Sequence, residues 1–175
     1  AQFNFDSREL HLDTVAEQAT LGEMDLNILG ISISANVAPF SYAGTPQPTA
    51  ELHVAEFSLK ELMQALDIEP PATADPAAMS RVSFAAKAKF GTNDIALTDL
   101  SLELDASTMS GTLSLPLTAS GSLKFDLVVD AINLDAYMAP ADEGRASGST
   151  SDDDIEIPVD MIRTLNANGK FRIER

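Results

Sequence analysis

Residues 82–90 read VSFAAKAKF. Val82, Phe84, Ala86, Ala88 and Phe90 alternate with Ser83, Lys87 and Lys89. Such a segment has one apolar and one polar face, the period of a half-buried antiparallel strand. The pattern recurs further along the chain. Met109, Leu113, Leu115 and Leu117 alternate with Ser110, Thr112 and Ser114, and Leu123, Phe125, Leu127 and Val129 with Lys124, Asp126 and Asp130. Val128 alone interrupts the polar side of the last run. The chain therefore reads as mainly β. It predicts a long, bent antiparallel sheet, trough- or groove-like, of about seven or eight strands with a few short helices.

Two strands change parity midway. Met24, Leu26 and Ile28 occupy one register and Ile31, Ile33 and Val37 the other, with Gly30 at the break. Ile95 and Leu97 give way to Leu100, Leu102 and Leu104 across Asp99. A β-bulge at each break would bend the sheet and return the apolar side chains to one face. A turn at each break would instead give shorter strands.

Helical spacing is confined to short stretches. Leu59, Leu62, Met63 and Leu66 share a helical face, and Ser58 with Glu61 fits a capping box. Asp75–Pro76 reads as a second helix start. Asn133 is a candidate cap for a later turn, and Pro158 to Leu165 reads as a last helix. These pieces form a unit of strand, helix, loop, helix and strand that occurs twice, over about residues 51–90 and 124–174. Val54, Phe57, Leu59 and Met63 match Val129, Ile132, Leu134 and Met138; Pro76, Met79 and Arg81 match Pro158, Met161 and Arg163. Residues 38–50 and 139–156 read as loops, rich in Pro or in Gly, Ser and Asp.

Composition narrows the class. At 175 residues and 45% hydrophobic content the chain suits a single folded domain, 1–175. It has no cysteine, so disulfides and thiol chemistry are excluded. A net charge of −16 argues against a nucleic-acid partner and against direct attraction to anionic headgroups. No apolar run approaches the ~18 residues of a membrane span. The start at Ala1 and the end in FRIER suggest a piece of a longer protein, with any anchor outside it.

Catalytic chemistry finds little support. His11 and His53 both fall out of phase with neighbouring leucines and are expected to face solvent. No nucleophile elbow or phosphate-binding glycine loop occurs. Asp152, Asp153 and Asp154 are consecutive, which does not match calcium-loop spacing, and read as a solvated loop. Arg81 and Arg163 read as helix-end cations, and Met79 and Met161 as core fillers. No enzyme activity, metal or cofactor is expected. A carboxylate pair ~5–9 Å apart in a cleft would revive a glycoside hydrolase, but nothing in the sequence selects one.

The physical puzzle is cover. The strands present one apolar face that the helices are too small to hide. The sheet must fold on itself, stack on further units, or take an apolar ligand.

The segments SGSLKFDLVVDAINLDAYMAP and IPVDMIRTLNANGKFRI resemble the conserved C-terminal region of AsmA-like proteins. The resemblance rests on Phe125, Leu127, Asp130, Ile132, Leu134, Asp135, Tyr137, Met138 and Pro140, then Pro158, Ile162, Arg163, Leu165, Ala167, Gly169, Phe171 and Ile173. FSLKELMQAL, DPAAMSRVSF and LSLELDASTMSG are similar to the same family, so the likeness covers roughly residues 50–175. It implies a Gram-negative envelope protein, anchored in the inner membrane and otherwise periplasmic, with repeating β-grooves linked to outer-membrane biogenesis and phospholipid transport. It implies no catalytic residues. The expected partners are lipid acyl chains, with envelope assembly proteins as the alternative, and the membrane through an anchor outside this fragment. A lipid groove would be lined by Phe84, Phe90, Leu102, Leu104, Leu113, Leu115, Phe125 and Leu127.

Overall fold

The computed structural model describes residues 3–118, 121–140 and 166–174. The strands are β1 (Phe3–Ser7), β2 (His11–Asp13), β3 (Gln18–Ile28), β4 (Ile31–Ser41), β5 (Thr49–Phe57), β6 (Val82–Phe90), β7 (Asp94–Leu104), β8 (Ser107–Pro116), β9 (Leu123–Val129) and β10 (Ala167–Ile173). Helix α1 spans Leu59–Ala65, and a 3-10 turn spans Leu134–Tyr137. The ten strands form one open sheet in the order β1-β3-β4-β5-β6-β7-β8-β9-β10, with β2 also paired to β3. The mainly β expectation holds, with more strands than the alternation alone suggested. The sheet is mixed, however, because β9 and β10 pair in parallel. Parallel neighbours need a long crossover, and residues 130–166 lie between these two strands.

The two parity breaks resolve differently. Leu29 and Gly30 form a two-residue hairpin loop between β3 and β4, with φ of 53° and 83°. Positive φ at both positions matches the twist of a right-handed hairpin, so this break is a turn and not a bulge. Asp99, at φ 49°, lies within β7, where the register shifts against both β6 and β8. That break is a bulge, and it keeps Leu97 and Leu100 on the same face.

Several local expectations are corrected. Residues 38–50 are not all loop, since β4 runs to Ser41 and β5 starts at Thr49. Pro39 is tolerated because it falls in the irregular stretch between Val37 and Phe40, where the ladder to β3 shifts. Asp75–Pro76 opens a single turn and no helix. The Asp75 carboxylate accepts from Ala77 N at 2.8 Å, and the chain then leaves helical geometry at Met79, φ 63°. Asn133 makes no side-chain cap. Ser58 does cap α1, accepting from Glu61 N at 3.3 Å. The last helix expected at Pro158–Leu165, the Asp152–Asp154 run, Met161 and Arg163 lie outside the described residues, as does most of the 139–156 loop. The two repeat units also end differently: β6 is antiparallel to β5, whereas β10 is parallel to β9.

The core is thin. Its centre is Ala86, Ala88, Leu97 and Leu100, overhung by Leu52, Phe84, Phe90, Ile95, Leu102, Leu113 and Leu127. Among the described residues no large side chain is fully buried, and α1 buries none of its residues. Among the described residues the sheet is thus a single layer, and its apolar face is covered only by its own side chains.

Candidate functional site: the apolar face of the sheet

Register turns the alternation into rows that cross the sheet. Phe5 pairs with Leu26, Leu26 with Ile33, Ile33 with Val54, and Val54 with Phe84. Phe84 pairs with Leu102, Leu102 with Met109, Met109 with Val129, and Val129 with Ile173. This row crosses nine strands without a polar residue. At ~4.8 Å per strand it is ~38 Å long, more than the ~30 Å hydrocarbon core of a bilayer. The adjacent row carries Asp6, Asp25, Ser34, His53, Ala85, Ser101, Ser110, Val128 and Arg172, and faces the other side.

All eight residues singled out as groove lining fall on the apolar face. Phe84 pairs with Leu102, Leu104 with Val82, and Phe90 with Ile95. Leu115 pairs with Ile95, and Leu113 with Leu97 and Phe125. Leu127 lies opposite Gly111. Leu115 is exposed and the other seven are half-buried. Sequence reasoning missed the extension of the face through β1, β3, β4 and β5 and onto β10. The alternation of 24–28 was visible, but which distant residues align depends on bulges whose sizes only the paired strands reveal.

Gly111 lets β8 and β9 approach at the middle of this face. Its φ is +145°, and a Cβ there would collide with the Asp126 carbonyl oxygen and lie 3.1 Å from Leu127 Cα. Gly169 plays a like part on β10, where an added Cβ would overlap the carbonyl and ring of Phe125.

The polar face carries the ion pairs. Arg8 reaches Glu23 at 3.2 Å and Asp25 at 3.3 Å, Lys87 meets Asp99 at 3.0 Å, and Arg172 meets Asp126 at 2.8 Å. The hydrogen bond and charge of Asp99, with the charge of Glu51, raise the Lys87 pKa. A depression of about 390 Å³ lies there, against Glu23, Asn36, Glu51, His53, Lys87 and Asp99. His11 and His53 are both exposed. Among the described residues no cluster of His, Asp and Glu could hold a metal ion.

A second polar feature escaped sequence reasoning. Asp105, in the β7–β8 turn at φ 55°, accepts from Met79 N at 2.7 Å, Ser80 N and Arg81 N at 3.1 Å, and Tyr137 Oη at 2.8 Å. The Arg81 guanidinium donates to the Asp105 carbonyl at 3.1 Å. Ala74 N and Asp75 N bond to Met138 O and Ala136 O at 2.7 and 3.1 Å, so the connections of both repeat units are tied together here. Burial pushes the Asp105 pKa up, but the four hydrogen bonds outweigh it and hold the carboxyl below its ordinary value. Burial and the Asp105 carboxylate push the Tyr137 phenol up to about 12. Tyr137 therefore stays protonated at neutral pH and donates. No described buried side-chain polar atom lacks a partner. The arrangement is a clasp that ties the connections of the two units together. Its signals in the sequence were Met79 and Arg81, which recur in the second unit, and Tyr137, one of the residues that carry the family resemblance.

Compared with known proteins, the chain matches no family model, no curated sequence and no solved structure.

Proposed function

We propose that the apolar face is a path for lipid acyl chains, in a non-catalytic periplasmic domain of an inner-membrane-anchored, AsmA-like protein serving outer-membrane biogenesis. The observation that carries this reading is the unbroken apolar row across nine strands, over which the described residues place no second layer. Each methylene moved from water onto such a face gains about 0.8 kcal/mol. Non-directional contacts of this kind tolerate varied chains and let them slide. The resemblance of residues 50–175 to AsmA-like sequences supports the compartment and the anchor.

Photo-crosslinking in cells tests it, on the full-length protein, with reactive groups at Leu102, Leu113 and Phe125 and opposite-face controls at Lys87 and Lys89. Lipid adducts at the first three and not at the controls are expected. Absence of lipid at all five, or equal labelling of both faces, would overturn the reading.

A second reading is a scaffold for envelope assembly proteins. It is favoured by the outer edges of β1 and β10, which pair with no described strand, and by Phe3, Phe5, Phe171 and Ile173, each more than half exposed. Protein adducts at those edges, without lipid on the face, would support it.

A further inference from the structure

We propose that this chain assembles head to tail, with β10 of one copy pairing antiparallel with β1 of the next. Three features of the two edges fit each other, and none depends on what the apolar face binds.

The first is direction. Each pair from β1 through β3 to β9 is antiparallel, and β10 runs parallel to β9. β1 and β10 therefore run in opposite directions. A second copy placed in the same orientation brings its β1 antiparallel to β10, the pairing that dominates the sheet.

The second is parity. Phe5 and Ile173 are the two ends of one apolar row, and both are 56% exposed. Continuing the sheet without a shift in register sets Phe5 of one copy beside Ile173 of the next. Each covers the other, and the apolar row runs on. A one-residue slip would set the apolar face of one copy on the same side as the polar face of the next, so burial selects this register.

The third is charge. Asp6 and Arg172 are the two ends of the polar row next to it. The same register sets Asp6 beside Arg172, which already meets Asp126 of its own chain at 2.8 Å. In the same register Lys170 falls opposite Arg8, whose charge Glu23 and Asp25 of its own chain already meet at 3.2 and 3.3 Å. Edge pairing of this kind is a known mode of strand recognition, and unpaired edges invite it. The contact is heterologous, so it does not close on itself and builds an open series. The net charge of −16 opposes association, but at 0.15 M salt, repulsion between copies is screened beyond ~8 Å.

Sedimentation velocity on the full 175-residue chain tests this, up to millimolar concentration at 0.15 M salt. Two blocking variants, Phe5→Lys and Phe171→Lys, put a charge on the inner face of one edge each. Both residues are more than half exposed, so the fold tolerates them. Wild type is expected to form a concentration-dependent series of dimers and larger species. Each blocking variant alone should associate at least tenfold more weakly. Their equimolar mixture should form dimers and stop, since one competent β10 meets one competent β1. Should either variant fail to fold, Asp6→Arg should weaken association and the Asp6→Arg, Arg172→Asp double variant should restore it. Wild type that stays monomeric, a blocked variant that associates as wild type does, or a mixture that grows beyond dimers would each overturn the proposal.

Discussion

Replacing Gly111 by alanine should cost far more than the same change at Gly44. Both glycines have φ in the left-handed half of the map, +145° at Gly111 and +69° at Gly44. Both substitutions therefore incur backbone strain of about 1–2 kcal/mol. They differ in surroundings. Nothing lies within 4 Å of a Cβ at Gly44. At Gly111 the new methyl runs into Asp126 O and sits 3.0 Å from Asp126 C, and these are backbone atoms of β9 that no rotamer change can move. β9 must retreat, which loosens about two ladder hydrogen bonds at roughly 0.5–1.5 kcal/mol each. The total at Gly111 is about 2–5 kcal/mol, a substantial share of the 5–15 kcal/mol typical of a domain. Urea unfolding of wild type, Gly111→Ala and Gly44→Ala would give the two differences directly. Equal losses at the two sites would refute the close approach of β8 and β9 on which the central apolar row depends.

Other parts of the structure give further expectations. Ala88 is 2% exposed between Ala50 and Leu97, so Ala88→Leu should overpack the centre and cost about 1–3 kcal/mol in the same urea assay. Ser58→Ala should remove the α1 cap and cost about 1 kcal/mol, visible as a lower thermal midpoint. The lowered Asp105 pKa stabilises the fold in full above about pH 4, the ordinary Asp value, and that stability is lost as pH falls through the lowered folded value. The stability gap between wild type and Asp105→Asn should therefore narrow on acidification, and a gap that widens would contradict the clasp. Tyr137 has the opposite sign: its raised pKa stabilises the fold fully below about pH 10, and this is lost as pH rises through about 12. Phenolate absorbance in a Tyr42→Phe background should place the Tyr137 midpoint near 12, and Asp105→Asn should bring it down.

What the sequence reveals and what it hides follow from the range of the interactions. The alternation in 82–90, 109–117 and 123–129 is a property of single strands, so the β class and the face of each strand were legible. Parity breaks at Gly30 and Asp99 look alike in sequence. Only pairing with neighbours distinguishes a hairpin, where β3 meets β4 across Leu29–Gly30, from a bulge, where β6 and β8 flank Asp99 on both sides. Pro39 and its neighbours resembled a loop because proline normally leaves a ladder, yet an irregular stretch absorbed it. The parallel pairing of β9 and β10 had no local sign at all, since ANGKFRI carries the same alternation whichever way it runs. That the eight groove candidates share one face was readable because burial of one face fixes parity. The full row from Phe5 to Ile173 was not, because it depends on every register between them. Asp105 was silent because its partners are backbone amides, which any residue supplies, brought in from residues 79–81, with a tyrosine from residue 137.

Acyl chains that bind the apolar face should leave the polar one untouched. Methyl NMR of the purified chain with a fatty acid spin-labelled along its chain reads this residue by residue. Leu26, Ile33, Val54, Leu102 and Leu127 line the apolar rows, while Ala85 and Val128 carry methyls on the opposite face. The first five signals should broaden and the last two persist. Equal broadening on both faces, or none at either, would contradict it.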